Sequence, residues 1–274
     1  MNQIIKSIKK MAKIYFRYFI NSAKSHIYYN DTFFTLFGCL ARDSVAVIMI
    51  YFITFRFSDI GGWSLGELIF LYSMLYFSYG MGLLFFAGSR DLEDLIGNGN
   101  FDRYMVTPLS VFFQAIVAKV NLLNTFSYCL LGVILFQISS SLTGIMWNVQ
   151  NVIILITSLI GGMLIQFSLL LLGSVLSFWS VKSGNVKFLL FFNIRAFAVY
   201  PINIYPKVLR NFLIFILPFA FVNYFPAKYI LQKKDDFIIN ANLAYGSVIV
   251  GIIFFLLVYS VWKIGVKNYK STGN

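Results

Sequence analysis

From Val120 to Val181 the chain carries not one charged side chain. A soluble protein of this length cannot be built around such a block, because about a quarter of a water-facing chain is ordinarily charged. The block does not stand alone. Leu68 to Gly88 and Phe237 to Trp262 are also uncharged, and each is long enough for the roughly 20 apolar residues that carry a helix through a bilayer. Across all 274 residues, 59% are hydrophobic, 12% are charged, and mean hydropathy is +0.78. The solvent that this chain is built for is lipid.

Spans are then placed by their punctuation. The first is predicted at Thr32 to Phe55, the second at Leu68 to Gly88 and the third at Val111 to Gln137. Ser139-Ser140-Ser141, Thr143-Gly144 and Asn148 to Asn151 are loop formers that divide the long uncharged block. The fourth span follows at Val152 to Ser177, with Gly161-Gly162 and Gly173 suited to close helix contact. The last is Phe237 to Trp262. The fold class expected is an all-α integral membrane protein with about six transmembrane helices, forming one domain over residues 1–274.

The charges give the orientation. Lys6, Lys9, Lys10, Lys13, Arg17 and Lys24 precede the first span, and Lys263, Lys267 and Lys270 follow the last. A basic bias at both ends predicts that both termini are cytoplasmic, which requires an even number of crossings. It also explains the net charge of +12 through anionic lipid rather than nucleic acid, which is not expected as a partner. Within residues 1–30 the cations interleave with Ile4, Ile8, Met11, Tyr15 and Phe19. That spacing makes a basic amphipathic helix lying in the headgroup plane, not the compact charged-then-apolar start of a signal peptide.

Two arrangements of residues 180–236 give six crossings. In the favoured one, Phe188 to Val199 is the fifth span and 206–232 is a re-entrant hairpin on the outer side, buried against protein. In the other, Phe188 to Pro206 lies on the cytoplasmic surface and Lys207 to Gln232 crosses.

Chemistry-bearing residues are few. His26 is the lone histidine, and Cys39 and Cys129 both fall in apolar runs, where they are expected to be buried and reduced. No phosphate-binding G-x-x-x-x-G-K-[ST] loop and no metal-binding H-E-x-x-H helix occurs. No catalytic set and no metal site is therefore expected, and no cofactor bound by this chain. Charges inside apolar runs are costly and so informative. Arg42 and Asp43 in the first span and Arg195 in the fifth are candidates for a substrate path or for interhelix pairing. Arg42 and Asp43 point about 100° apart on a helix, so each is expected to pair elsewhere.

The most informative segment is 89–110. Leu92, Leu95 and Ile96 share one face of a short helix, beside Asp91, Glu93 and Asp94. Such an exposed apolar ridge fits the groove of a cytoplasmic partner. Gly99-Asn100-Phe101-Asp102, then Thr107-Pro108-Leu109-Ser110 and Lys119, resemble the loop of type-2 ABC exporter permeases, with Asn100 in place of the usual hydroxyl residue. Tyr200-Pro201, Tyr205-Pro206, Leu209-Arg210, Leu217-Pro218-Phe219 and Tyr224-Phe225-Pro226 are similar to that family's proline-punctuated outer region. Together, in order, within a six-span chain with a leading amphipathic helix, these features cover nearly the whole length.

The resemblance implies a permease subunit of an ATP-driven exporter, with ATP and Mg bound on a separate ABC-type ATPase. It implies coupling through Asp91, Leu92, Glu93, Leu95, Ile96 and Asp102, and an outer gate containing Pro206, Pro218 and Pro226. A second permease, identical or paralogous, completes the path, and the resembled subgroup often joins two different permeases to one ATPase. The location implied is the cell membrane. The alternatives are a secondary active transporter, which would use Asp43 as its buried acid, and a non-transporting membrane scaffold.

Overall fold

The computed structural model describes residues 2–27, 32–117, 120–179, 187–233 and 241–269. Lys119, Lys270, residues 237–240 of the expected last span and the side chain of His26 lie outside the described residues. Described secondary structure is helical, apart from one isolated bridge between Ile60 and Trp63.

Helix α1, Asn2–Ile27, is the basic amphipathic segment. The Tyr15 hydroxyl donates to the Leu84 carbonyl at 3.0 Å, and Ser22 Oγ donates to that of Val120 at 2.7 Å. These contacts fix α1 at the end of the bundle where Leu84 and Val120 lie. The main helices are α2 Thr32–Phe57, α3 Leu65–Phe86, α7 Leu122–Thr143, α8 Val149–Val175 and a last span, Ser247–Asn268. Three short helices, α4 Leu92–Gly97, α5 Asp102–Met105 and α6 Val111–Val117, join α3 to α7. Five segments among the described residues are long and apolar enough to cross a membrane, so this is a multi-pass membrane protein.

Three boundaries differ from expectation. The third span begins at Leu122, not Val111, because Asn121 caps it by accepting from the Asn124 N–H at 3.1 Å. It runs on through the three serines to Gly144, whose φ of 62° ends it. The serines do not break the helix, since membrane-buried hydroxyls can bond to carbonyls within it or beside it. Ser141 Oγ donates to the Gln137 carbonyl at 3.1 Å and Ser139 Oγ to that of Gly66 at 2.7 Å. The last span starts at Ser247, after a 3₁₀ turn over Ala241–Gly246. Its close approach to α8 requires glycine on both sides. A Cβ on Gly161 would overlap the Ser247 backbone, and one on Gly251 would come within 2.9 Å of the Gly161 carbonyl.

The fifth crossing is shorter and more irregular than a helix through a bilayer. It winds as π-helix over Phe188–Asn193, α-helix over Ile194–Phe197 and 3₁₀ over Ile202–Ile204. Its start is tied to the α1 end of the bundle, where Lys187 Nζ donates to the Arg90 carbonyl at 3.0 Å. Its finish is tied to the opposite end, where Asn203 Nδ2 donates to Gly61 in the α2–α3 loop at 2.9 Å. Phe188 to Pro206 therefore traverses the bundle, which removes the alternative that lays it along one surface.

The next segment leaves from that opposite end and returns to it. Lys207–Ile216 and Phe219–Ile230 meet at a bend of 72°, and Lys233 Nζ then reaches Glu67 at the start of α3, 2.6 Å away. Between the two ends, Val222 approaches Gly162, halfway along α8. This is a re-entrant hairpin dipping to mid-bundle. Pro218 is at its bend, Pro206 precedes its first helix, and Pro226 is buried in the first turn of Tyr224–Ile230.

Candidate functional site

The elbow between α3 and α6 starts with a backbone contact. A Cβ on Gly88 would overlap the carbonyls of Ala115 and Ile116, so only glycine lets the α3 exit lie against α6. Ser174 Oγ clamps the same turn by donating to the Ser89 carbonyl at 2.8 Å. After α4, Gly99 at φ +69° reverses the chain, and the Phe101 N–H donates to the Leu95 carbonyl at 3.0 Å.

The apolar face of α4 does not form the expected exposed ridge. Leu92 and Ile96 are buried, Leu95 is half-buried, and the first two join Phe101, Phe178 and Trp262 in one cluster. The Phe101 ring lies 5.2 Å from Phe178, 6.0 Å from Trp262 and 5.0 Å from Tyr269. The period of the apolar residues was readable, but the partners that turn that face inward lie far along the chain. Glu93 is also engaged, 3.2 Å from Lys187 Nζ. Asp91 and Asp102 are half-buried. The face left outward carries Asp94, Arg103, Met105 and Val106, the last 84% exposed. Gln114, absent from the expected site, holds the Thr107–Leu109 step. Its Nε2 donates to the Leu109 carbonyl at 3.2 Å, and its Oε1 accepts from Thr107 Oγ1 at 2.8 Å.

A second cluster lies halfway along the bundle, where a charge needs a partner. Arg42 and Asp43, expected to pair elsewhere, pair with each other. Nε donates to Oδ1 at 2.9 Å and Nη2 to Oδ2 at 3.1 Å, because the long arginine side chain folds back across the 100° between them. Arg42 Nη2 also lies 3.4 Å from the Tyr128 hydroxyl, and the Asp43 carbonyl accepts from the Tyr72 hydroxyl at 3.0 Å. Asp43 is 5% exposed.

Arg195 projects from the fifth crossing onto α3. Its guanidinium carbon is 4.7 Å from the Tyr76 ring centroid and 4.6 Å from that of Tyr79, and Nε donates to Gln166 Oε1 at 3.1 Å. Gln166 Nε2 donates in turn to Ser78 Oγ at 2.7 Å. Tyr72, Tyr76 and Tyr79 were not among the expected site residues. Their spacing of four and then three residues, which places them on one face of α3, is the signal that could have found them.

The three prolines expected in an outer gate all belong to this hairpin. Pro206 is exposed, whereas Pro218 and Pro226 are buried. Asn223 anchors their hairpin, with Nδ2 donating to Ala198 at 2.6 Å and to Leu71 at 3.2 Å. Cys39 and Cys129 are free and half-exposed rather than buried, as residues on a lipid-facing bundle can be.

No curated protein and no solved structure matches the chain. Residues 40–273 match the family described as ABC-2 family transporter protein, a match that starts after α1 and takes in the elbow, the broken crossing, the hairpin and the last span. That covers well over half of the sequence, so the chain belongs to the ABC-2 transporter family and is an ABC permease.

Proposed function

We propose that this permease is the transmembrane half-unit of an ATP-driven exporter. It pairs with a second permease, identical or paralogous, and with a separate ABC-type ATPase that carries the ATP and Mg. The elbow, residues 87–110, is the docking point, with both termini on the same cytoplasmic side and α1 along the membrane surface. The observation that carries this reading is the elbow's construction. Its apolar residues are spent on an internal core, and on that base Met105 and Val106 face outward, with Asp94 and Arg103 also exposed on the elbow. Exposed apolar residues rimmed by charge mark a contact surface.

The coupling role passes to this outer face, with Leu92, Ile96 and Glu93 shaping it from beneath and Asp91, Leu95 and Asp102 at its margin. Export follows from the family resemblance. Asp43 is taken up by its ion pair with Arg42, which fits the interhelix-pairing reading of these two residues. The hairpin with Pro206, Pro218 and Pro226 forms the outer closure.

The test is co-purification of the chain with the ATPase encoded beside it. Wild type is expected to retain the ATPase, and the Met105→Glu with Val106→Glu variant to lose it while still inserting in the membrane. Retention by the double variant would remove the docking assignment. Cysteines placed at Asn148 and at Lys267 give the orientation: a membrane-impermeant reagent added to intact cells labels the first and misses the second.

A further inference from the structure

Arg195 is 8% exposed and no described carboxylate pairs with it. Its Nε is used by Gln166 and its flat faces by Tyr76 and Tyr79, yet Nη2 is buried without a hydrogen-bond partner. The hydroxyl of Tyr79, a residue 1% exposed, is also buried without a partner. Gln166 is fully engaged, with its amide donating to Leu75 and Ser78 and its oxygen accepting from Arg195. Two open donors thus belong to side chains in contact, the guanidinium carbon lying 4.6 Å from the Tyr79 ring centroid, and one of them is charged.

The surroundings add positive charge. Arg42 and Arg195 both stand on this tyrosine cluster, Arg42 at Tyr128 and Arg195 over Tyr76 and Tyr79. Asp43 is already neutralised by Arg42. Buried polar groups are nearly always paired, and an open guanidinium edge fits an anionic oxygen. A cleft of about 710 Å³ opens between the end of α2 (Ile53, Phe57) and the fifth crossing (Ala196, Phe197, Tyr205), beside the turn that carries Arg195, and neither Arg195 nor Tyr79 lines it. Its walls are mostly apolar.

We propose that Arg195 Nη2 and the Tyr79 hydroxyl bind the anionic oxygen of an amphiphile, a phosphate or carboxylate carried on an apolar tail. This rests on the transport reading above and gives it a ligand class. The source is either the transported molecule or a resident anionic lipid, and the chemistry at the site is the same for both.

The experiment uses the full chain in lipid discs of phosphatidylcholine alone, titrated with dodecyl phosphate and, as a neutral control, dodecanol. Wild type is expected to prefer the phosphate. Arg195→Gln should weaken phosphate binding about tenfold or more, the usual cost of a lost charge-assisted hydrogen bond, and leave dodecanol unchanged. Tyr79→Phe keeps the ring beneath the guanidinium and should weaken phosphate binding about threefold or more. It also serves as the deciding variant if Arg195→Gln does not fold. Competition by added phosphatidylglycerol identifies a resident lipid as the occupant, and absence of competition identifies a transported amphiphile. Equal binding of phosphate and dodecanol by wild type overturns the proposal. So does unaltered phosphate binding in Tyr79→Phe, or in a folded Arg195→Gln whose melting temperature alone has fallen, because Arg195 is then only a brace between helices. Binding is read without any ATPase, so this result and the docking result can fail separately.

Discussion

The elbow and the mid-bundle cluster share α3 and α8 but are completed differently. At the elbow, ring meets ring around Phe101, and the loop's polar atoms are drawn back by Gln114, Ser174 and Lys187. Halfway up the bundle, the aromatic packing is equally dense, with Tyr72 and Tyr76 rings 4.2 Å apart and Tyr79 and Tyr128 4.9 Å apart. There, however, a cation is left with one edge open. Dense packing alone therefore does not separate a scaffold from a site. What differs here is the charged edge left open at Arg195.

If the elbow is a self-contained core, its central ring should dominate it. Phe101→Ala should cost about 3–5 kcal/mol, the range for emptying a buried aromatic position, read as a lower unfolding midpoint of the purified chain. A loss below about 1 kcal/mol would mean that the cluster is not one cooperative unit.

The hairpin tests whether single polar contacts matter as much. Asn223→Ala removes two hydrogen bonds at once. Each is worth well under 2 kcal/mol inside a membrane bundle, so a loss of about 1–2 kcal/mol is expected. A matching rise in labelling of a cysteine at Phe219 would show that the hairpin has loosened from α3.

Smaller still is Lys187→Ala. Its partners Glu93 and the Arg90 carbonyl lie near the bundle end, and the side chains of Lys187 and Glu93 are 18% and 16% exposed. About 0.5–1 kcal/mol is expected, falling as salt is added, measured by unfolding at two ionic strengths. Val106→Asp should change stability by no more than about 0.5 kcal/mol while still weakening ATPase retention, because its side chain supports nothing beneath it.

Much of the architecture was readable from apolar run length, since α2, α3 and α8 are single uncharged or nearly uncharged stretches. What composition could not give was the direction in which a face turns. Leu92 and Ile96 announce an apolar stripe, but Phe178 and Trp262, which cover it, come from two other segments. The break before Leu122 was hidden because Asn121 acts through its side chain in a stretch that is otherwise apolar on both sides. The serines misled in the opposite sense, reading as a loop while their hydroxyls were satisfied by nearby carbonyls. Of the mid-bundle cluster, its charges were legible and its tyrosines were not, because aromatic residues are so common here that none stands out.

The two π-wound stretches, Phe188–Asn193 and Phe212–Ile216, fall on either side of the Tyr205–Pro206 corner. A π-turn stores one residue beyond what an α-turn needs, and that surplus can travel along a helix like a crease along a carpet. Where the crease passes, the side chains behind it swing by about 100° and advance by about 1.5 Å, while the ends of the element stay pinned. Arg195 stands two residues past the first crease. One residue of slack moving by it turns the guanidinium off its two tyrosines with Lys187 and Asn203 still in place.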